Sequence, residues 1–157
     1  MRLARVEYEF FDFEDASAEA SELHRQVRLQ FDDAPLLFVS WTRERQQTAD
    51  DQPYSIGFGP ECYFTDEPAV VVDASSAPLW AGHISREVLL AFSPAASKDF
   101  EYQILEVRSD WGTTFFFSLG LDRMGLSNTL PAAALAGSRT LPNKPLQPTS
   151  GRKIEVQ

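Results

Sequence analysis

The sequence has few of the residues from which catalytic and metal-binding sites are usually built. Its 157 residues include a single cysteine, Cys62, and two histidines, His24 and His83. One cysteine excludes an internal disulfide, and the isolated histidines lack the spacings that are typical of zinc sites. We therefore predict no cofactor, no metal site and no catalytic residue.

Long hydrophobic runs are missing as well. No apolar stretch approaches the roughly 20 residues that a membrane-spanning helix requires, and residues 1–9 lack the basic and apolar pattern of a secretion signal. We expect a cytoplasmic protein that does not bind membranes. Since 43% of the residues are hydrophobic, the chain has enough apolar material for a core of ordinary size.

Aromatic residues are absent from the end of the chain. All 12 Phe, 4 Tyr and 3 Trp lie at or before Phe117, and the sequence from Pro131 onward is rich in alanine and proline. Such a segment cannot bury enough apolar area to offset the entropy that ordering would cost. We predict one sheet-rich domain over residues 1–127 and a disordered tail over residues 128–157.

Short apolar runs with a period of two dominate the part of the chain that does carry aromatic residues. Ile104–Val107 and Phe115–Phe117 flank the polar turn Ser109–Gly112, a pattern that is typical of a β-hairpin. A second hairpin is predicted over residues 27–41, because Val27–Phe31 alternates cleanly before an Asp-Pro turn. Further strands are predicted over Arg5–Phe13 (with Val6, Tyr8 and Phe10 on one face), Tyr54–Phe58, Ala69–Asp73 and Arg86–Phe92.

One helix is predicted near the N-terminus. Asp15–Arg25 combines Ala, Ser, Glu and Leu with an acidic first turn, and Asp15 or Ser17 would cap it. Short links between the strands favour antiparallel neighbours. We predict an α+β fold, in which about seven strands form a mostly antiparallel twisted sheet or a partly closed barrel, with this helix on one face.

Basic residues are scarce in the first half of the chain. Residues 1–75 contain 16 acidic and 6 basic residues, and the whole chain has a formal net charge of −9. Such a surface repels nucleic acid and favours a basic protein partner. The same charge also serves simply to keep a small domain in solution.

Acidic residues concentrate in loops, and two of these loops are predicted at the same end of the sheet. Carboxylates gathered there would bind a divalent cation, act as a glycosidase-like pair or meet a basic protein surface. Alternatively, they lie in loops only because loops are solvated. The predicted acidic patch consists of Asp32, Asp33, Glu61, Asp66 and Glu67.

Aromatic side chains near these loops are candidate binding residues. Trp111 is predicted in the hairpin turn, where an aromatic side chain is usually exposed to water. Exposed aromatic residues often anchor protein interfaces. The predicted aromatic anchors are Trp111, Tyr63 and Phe64.

Two segments resemble known proteins. The pattern W-x-x-H-I-x-R-E-V over residues 80–88, followed by Ile104–Val107, resembles small acidic bacterial proteins of immunity-protein type, which are sheet-rich and cytoplasmic. The resemblance covers residues 27–119 and concerns the fold more than the role, because the matching residues are mostly of core type. The tail NKPLQPTSGR, residues 143–152, is similar to a recurrent ending of hypothetical proteins from plant-associated bacteria.

Two function classes follow from these observations. The first is a non-enzymatic protein-interaction protein, of which an immunity-type inhibitor of a basic protein is one example. The second is a small hydrolase or ligand-binding barrel that uses carboxylates together with His83. The sequence selects no oligomeric state for either.

Overall fold

The computed structural model describes residues 1–42, 55–61, 69–93, 104–119 and 123–129. Within these ranges every regular element is a β-strand, and no helix is present. The strands are β1 (Leu3–Phe10), β2 (Glu22–Leu23), β3 (Gln26–Phe31), β4 (Leu37–Thr42), β5 (Ser55–Gly59), β6 (Val70–Asp73), β7 (Leu89–Ser93), β8 (Ile104–Arg108), β9 (Thr113–Leu119) and β10 (Arg123–Ser127).

The strands form two five-stranded sheets in which every pairing is antiparallel. The first sheet has the order β5-β4-β3-β1-β6, and the second has the order β2-β10-β9-β8-β7. The two sheets face each other across one hydrophobic core, to which both contribute. β5 approaches β9 and β4 approaches β10 in this arrangement. The described fold is therefore an all-β structure of two packed sheets.

The α+β prediction, with a helix over Asp15–Arg25, is wrong. This part of the chain forms tight turns and then the two-residue strand β2, which pairs with β10 through Leu23 and Met124. A helix of this length is marginal on its own and needs an apolar stripe to be held against a core. Leu23 is the one large aliphatic residue in the segment. Its burial beside Met124 is achieved by strand pairing instead.

The prediction of about seven strands in a single twisted sheet or partly closed barrel is also wrong. The described residues hold ten strands in two sheets. The missed strands are β2, which has two residues, and β10, whose sequence Arg-Met-Gly-Leu-Ser lacks the β-branched and aromatic residues that mark strands. β10 forms because β9 pairs along all five of its residues, from Arg123 to Ser127.

Other sequence predictions are confirmed. Val6, Tyr8 and Phe10 share the core face of β1 and are almost completely buried. In the predicted hairpin, Val107 pairs with Thr114 and the next pair closes the loop over residues 109–112. The hairpin over residues 27–41 also forms, as β3 and β4.

A buried hydrogen bond joins β1 to the long connection between β6 and β7. The indole Nε1–H of Trp80 donates to the hydroxyl oxygen of Tyr8 over 2.6 Å, and both side chains are fully buried. Burial raises the pKa of Tyr8 to about 12, so the phenol stays neutral. Residues 74–88 run through consecutive turns, and Trp80 anchors this connection to the first sheet.

The Tyr8→Phe variant tests the value of this hydrogen bond. Removal of the hydroxyl leaves a buried indole N–H without its acceptor, so we expect the free energy of unfolding to fall by about 1–3 kcal/mol. Urea denaturation at neutral pH measures the change. A loss below about 0.5 kcal/mol would show that the indole N–H finds another partner.

Candidate functional site

The β8–β9 hairpin ends in a four-residue loop that presents Trp111. The N–H of Ser109 donates to the carbonyl of Gly112 over 2.9 Å, which closes the loop. The hydroxyl of Ser109 accepts a hydrogen bond from the N–H of Trp111 over 3.1 Å. A serine before a turn commonly makes this type of bond. The Ser-Asp-Trp-Gly sequence thus fixes the backbone from which the indole projects.

His83 links this hairpin to the connection over residues 74–88. Its Nδ1 lies 2.8 Å from the hydroxyl of Ser109, and its Nε2 lies 3.0 Å from the hydroxyl of Thr114. The Thr114 hydroxyl also donates to the carbonyl of Leu79 over 2.8 Å. Because that hydroxyl has only one proton, its oxygen accepts from His83, which assigns the ring proton to Nε2. Nδ1 then accepts from Ser109.

The environment of His83 keeps the imidazole neutral. Burial lowers the pKa of His83, and the positive charge of Arg86 lowers it further. The side chain is fully buried, and its ring packs against Trp80 with the centroids 5.9 Å apart. Both ring nitrogens are engaged by hydroxyl groups of the protein. Through these two hydrogen bonds His83 holds the β8–β9 hairpin against the connection over residues 74–88.

Trp111 covers the backbone of the neighbouring connection. A Cβ atom added at Gly82 would lie 2.1 Å from the indole, so the close approach depends on the absence of a side chain there. The ring of Trp111 also meets the ring of His83 edge-on at a centroid distance of 5.0 Å. Nevertheless, 46% of Trp111 remains exposed. One side of the indole is therefore fixed, and the remainder faces solvent.

An ion pair also joins the hairpin loop to the connection over residues 74–88. The guanidinium Nη1 of Arg86 contacts both carboxylate oxygens of Asp110, at 2.9 and 3.1 Å. The preceding residue, Ser85, has a φ of 67°, and its N–H donates to the carbonyl of Leu3. We call Trp111, Gly82, Arg86 and Asp110 the tryptophan surface. Sequence analysis identified only Trp111, because neither the space above Gly82 nor the ion pair leaves a local sequence signal.

The structure places three of the five predicted acidic residues at one end of the first sheet. Asp32 and Asp33 lie exposed in the turn between β3 and β4, and Glu61 lies exposed just beyond β5, which returns to that end. The N–H of Arg2 donates to Asp33 Oδ1 over 2.8 Å and holds the pKa of Asp33 below its usual range. The other predicted residues lie outside the described part of the chain: Tyr63, Phe64, Asp66 and Glu67.

The same end of the structure carries the tryptophan surface. The N–H of Leu3 donates to the carbonyl of Arg86 over 3.0 Å. The backbones of Arg2 and Glu87 form an isolated antiparallel β-bridge. These contacts join the start of β1 to the connection beneath Trp111. The structure thus brings Asp32, Asp33 and Glu61 to the end at which the indole is exposed.

Comparison of the chain with models of protein families, with curated protein sequences and with solved structures gives no match. Among the described residues, no group of three or more His, Cys, Asp or Glu side chains is arranged to hold a metal ion. None of the described segments forms an apolar helix of the length that a membrane crossing requires. The arguments for function therefore rest on the chain's own surfaces.

Proposed function

We propose that this chain is a non-enzymatic protein-interaction protein that binds a basic protein partner through the tryptophan surface. The observation that carries the proposal is the half-exposed indole of Trp111, which Gly82 and His83 hold from below. A rigid aromatic side chain loses little conformational entropy on binding. Tryptophan and arginine are also the residue types that most often anchor interfaces.

Charge supports a basic partner. The chain has a net charge of −9, and carboxylates share the end that carries Trp111. Charge of this kind increases the rate of association and excludes acidic competitors, while a buried anchor provides most of the affinity. Arg86 and Arg2 give the same end positive groups that fix the orientation of a partner. The carboxylates concerned are Asp32, Asp33, Glu61, Glu87 and Asp110.

An inhibitor of immunity-protein type in the cytoplasm is the specific form of this proposal. Its support is the size, acidity and sheet content of the chain, together with the pattern over residues 80–88. Trp80, His83 and Val88 of that pattern are buried, so they build the support beneath the tryptophan surface. In this proposal Trp111, outside the pattern, provides the contact.

The test compares capture of a partner by the full chain and by its Trp111→Ser variant. Both are immobilised and exposed to lysate of the source cell at low and high salt, and bound proteins are identified by mass spectrometry. We expect the wild type to retain a stoichiometric basic protein, with weaker retention at high salt. Loss of the indole should weaken binding about tenfold or more.

Two further variants make this test specific. Gly82→Ala keeps the indole, but the added methyl group would clash with the ring and displace it. This variant should therefore weaken partner binding as well. Val71→Ser changes an apolar residue of β6 that is 46% exposed, as Trp111 is, and it should leave binding unchanged. Thermal midpoints of all variants report folding. Undiminished capture by a folded Trp111→Ser variant would show that the tryptophan surface is not the binding site.

A further inference from the structure

The connection over residues 11–22 is an acidic surface element with an exposed aromatic tip. It follows β1, leads to the second sheet and ends with Glu22, the first residue of β2. We call residues 11–22 the acidic connection. It contains no lysine or arginine, and its carboxylates are those of Asp12, Glu14, Asp15, Glu19 and Glu22.

Internal hydrogen bonds give the acidic connection a defined shape. The N–H of Glu14 donates to the carbonyl of Phe11 over 3.1 Å, which closes a turn with Asp12 and Phe13 at its centre. The carboxylate of Glu14 accepts from the N–H of Phe11 over 2.7 Å and from the N–H of His24 over 2.9 Å. One carboxylate thus ties the start of the segment to His24, just beyond its end, and holds Phe13 at the turn.

Phe13 is the outer member of an aromatic stack. Its ring lies nearly parallel to that of Phe11, at 15° and a centroid distance of 5.4 Å, and edge-on to the ring of His24 at 5.7 Å. The guanidinium of Arg25 lies over the Phe11 ring at 5.1 Å. Phe13 is 71% exposed, more than any other large hydrophobic side chain among the described residues.

The chemistry of this tip favours a cation. An aromatic face attracts a positive group through its quadrupole, and planar guanidinium stacks on such a face better than ammonium does. Arg25 already makes this contact with Phe11 inside the protein. Asp12 and Asp15, both exposed, flank the tip and add negative charge. A guanidinium group from outside would therefore meet an aromatic surface and carboxylates together.

We propose that the acidic connection binds an arginine-bearing segment of a protein, with a guanidinium group stacked on Phe13 and its charge balanced by Asp12 and Asp15. This site is separate from the tryptophan surface. β1 has eight residues and runs from Leu3, whose N–H binds Arg86, to Phe10, which the acidic connection follows, so the two sites lie at opposite ends of a strand about 23 Å long. The proposal therefore stands or fails independently of the proposed function.

The probe is a nine-residue peptide of alternating arginine and glycine, blocked at both ends, and the matched probe replaces each arginine by lysine. Fluorescence anisotropy at low salt measures the binding of each labelled peptide to the full chain. We expect the arginine peptide to bind more tightly than the lysine peptide. Phe13→Ser and Phe13→Leu should each weaken arginine binding about fivefold or more, whereas Val71→Ser, at an exposed apolar residue of β6, should leave it unchanged.

The two Phe13 variants separate the possible sources of binding. Phe13→Leu keeps an apolar side chain but lacks the aromatic face. If this variant binds the arginine peptide with wild-type affinity, the contact is simply hydrophobic and involves no stacking, which would overturn the proposal. Equal affinities for the arginine and lysine peptides would likewise overturn it. So would a result in which only Asp12→Asn and Asp15→Asn weaken binding, because that pattern reports general attraction to an acidic protein. Phe13 is exposed, so these variants are expected to fold, which thermal unfolding verifies.

Discussion

Replacement of Glu9 by alanine is expected to lower the free energy of unfolding by about 3–5 kcal/mol. Glu9 is only 6% exposed, and its Oε1 accepts from Arg25 Nε over 3.1 Å and from Gln26 Nε2 over 2.8 Å. Arg28 Nε lies 3.3 Å from the other carboxylate oxygen. Removal of the carboxylate takes an opposite charge away from Arg25, which is only 3% exposed. A buried charge without its partner is among the costliest defects that a single substitution creates.

The matched control is an exposed pair in the same protein. Glu87 lies 3.8 Å from Arg2, and its side chain is 67% exposed. Solvent screens such a pair, so Glu87→Ala should change the free energy of unfolding by less than about 1 kcal/mol. Urea denaturation of both variants at one pH and one salt concentration gives the comparison. Similar losses for Glu9→Ala and Glu87→Ala would show that burial does not determine the value of these pairs.

A double variant distinguishes the contribution of the buried charges to the free energy of unfolding from the contribution of side-chain packing. Replacement of Glu9 by leucine together with Arg25 by methionine removes both charges while it keeps apolar volume. We expect this variant to be more stable than Glu9→Ala, because the buried guanidinium of Arg25 is removed together with the carboxylate, while Arg28 keeps its contact with Glu7. If it is less stable than Glu9→Ala, the hydrogen bonds of Glu9 to neutral neighbours such as Gln26 outweigh its ion pairing.

The buried charges on β1 show where sequence analysis reaches its limit. The alternation in Arg5–Phe13 correctly predicts that Val6, Tyr8 and Phe10 share one core face. Alternation alone would place Glu7 and Glu9 in solvent on the opposite face, yet they are 8% and 6% exposed. Glu7 has one partner within β1, Arg5, but its other partners and those of Glu9 come from β3 and the residue before it. Spacing within β1 contains no information about these partners from outside the strand.

The same reason explains why the sequence predicts the β8–β9 hairpin correctly and the path of the acidic connection incorrectly. A hairpin is specified locally, since the Asp/Gly turn and its flanking apolar runs are adjacent in sequence, and the β8–β9 pairing is confirmed. The path of residues 15–25 depends instead on a contact between Leu23 and Met124, a hundred residues away. Helix propensity is a weak signal in comparison with such tertiary contacts.

The candidate site was only partly predictable. Exposure of Trp111 follows from its place in a turn, and the structure bears it out at 46%. The close packing of the indole on Gly82 could not be predicted, because Gly82 and Trp111 are 29 positions apart in the sequence. The aromatic tip at Phe13 was missed because Phe10, Phe11 and Phe13 resembled a continuous strand, whereas β1 ends at Phe10.

Stability is expected to decline as the pH falls below about 6.5, because of His83. Burial lowers the pKa of His83 in the folded state below 6.5, its ordinary value, which we assign to the unfolded chain. Between the folded pKa and 6.5 the unfolded chain binds more protons, so protonation favours unfolding. Well above pH 6.5 both states hold a neutral imidazole, and this contribution to the pH dependence vanishes.

The structural cause can be tested with His83→Gln. Protonation of His83 would place a second proton on Nδ1, which now accepts from Ser109, and would bring positive charge close to Arg86. The free energy of unfolding of the wild type, measured by urea denaturation between about pH 5.5 and 7.5, should rise with pH. The slope should be smaller in His83→Gln and retained in His24→Gln.

At the upper pH, the substitution His83→Gln itself should lower the free energy of unfolding by about 2–3 kcal/mol, since the ring fills a fully buried site between Trp80 and Trp111. Identical slopes in the wild type and in His83→Gln would mean that other groups control the acid sensitivity, and that the imidazole beneath the tryptophan surface accepts a proton without cost to the fold.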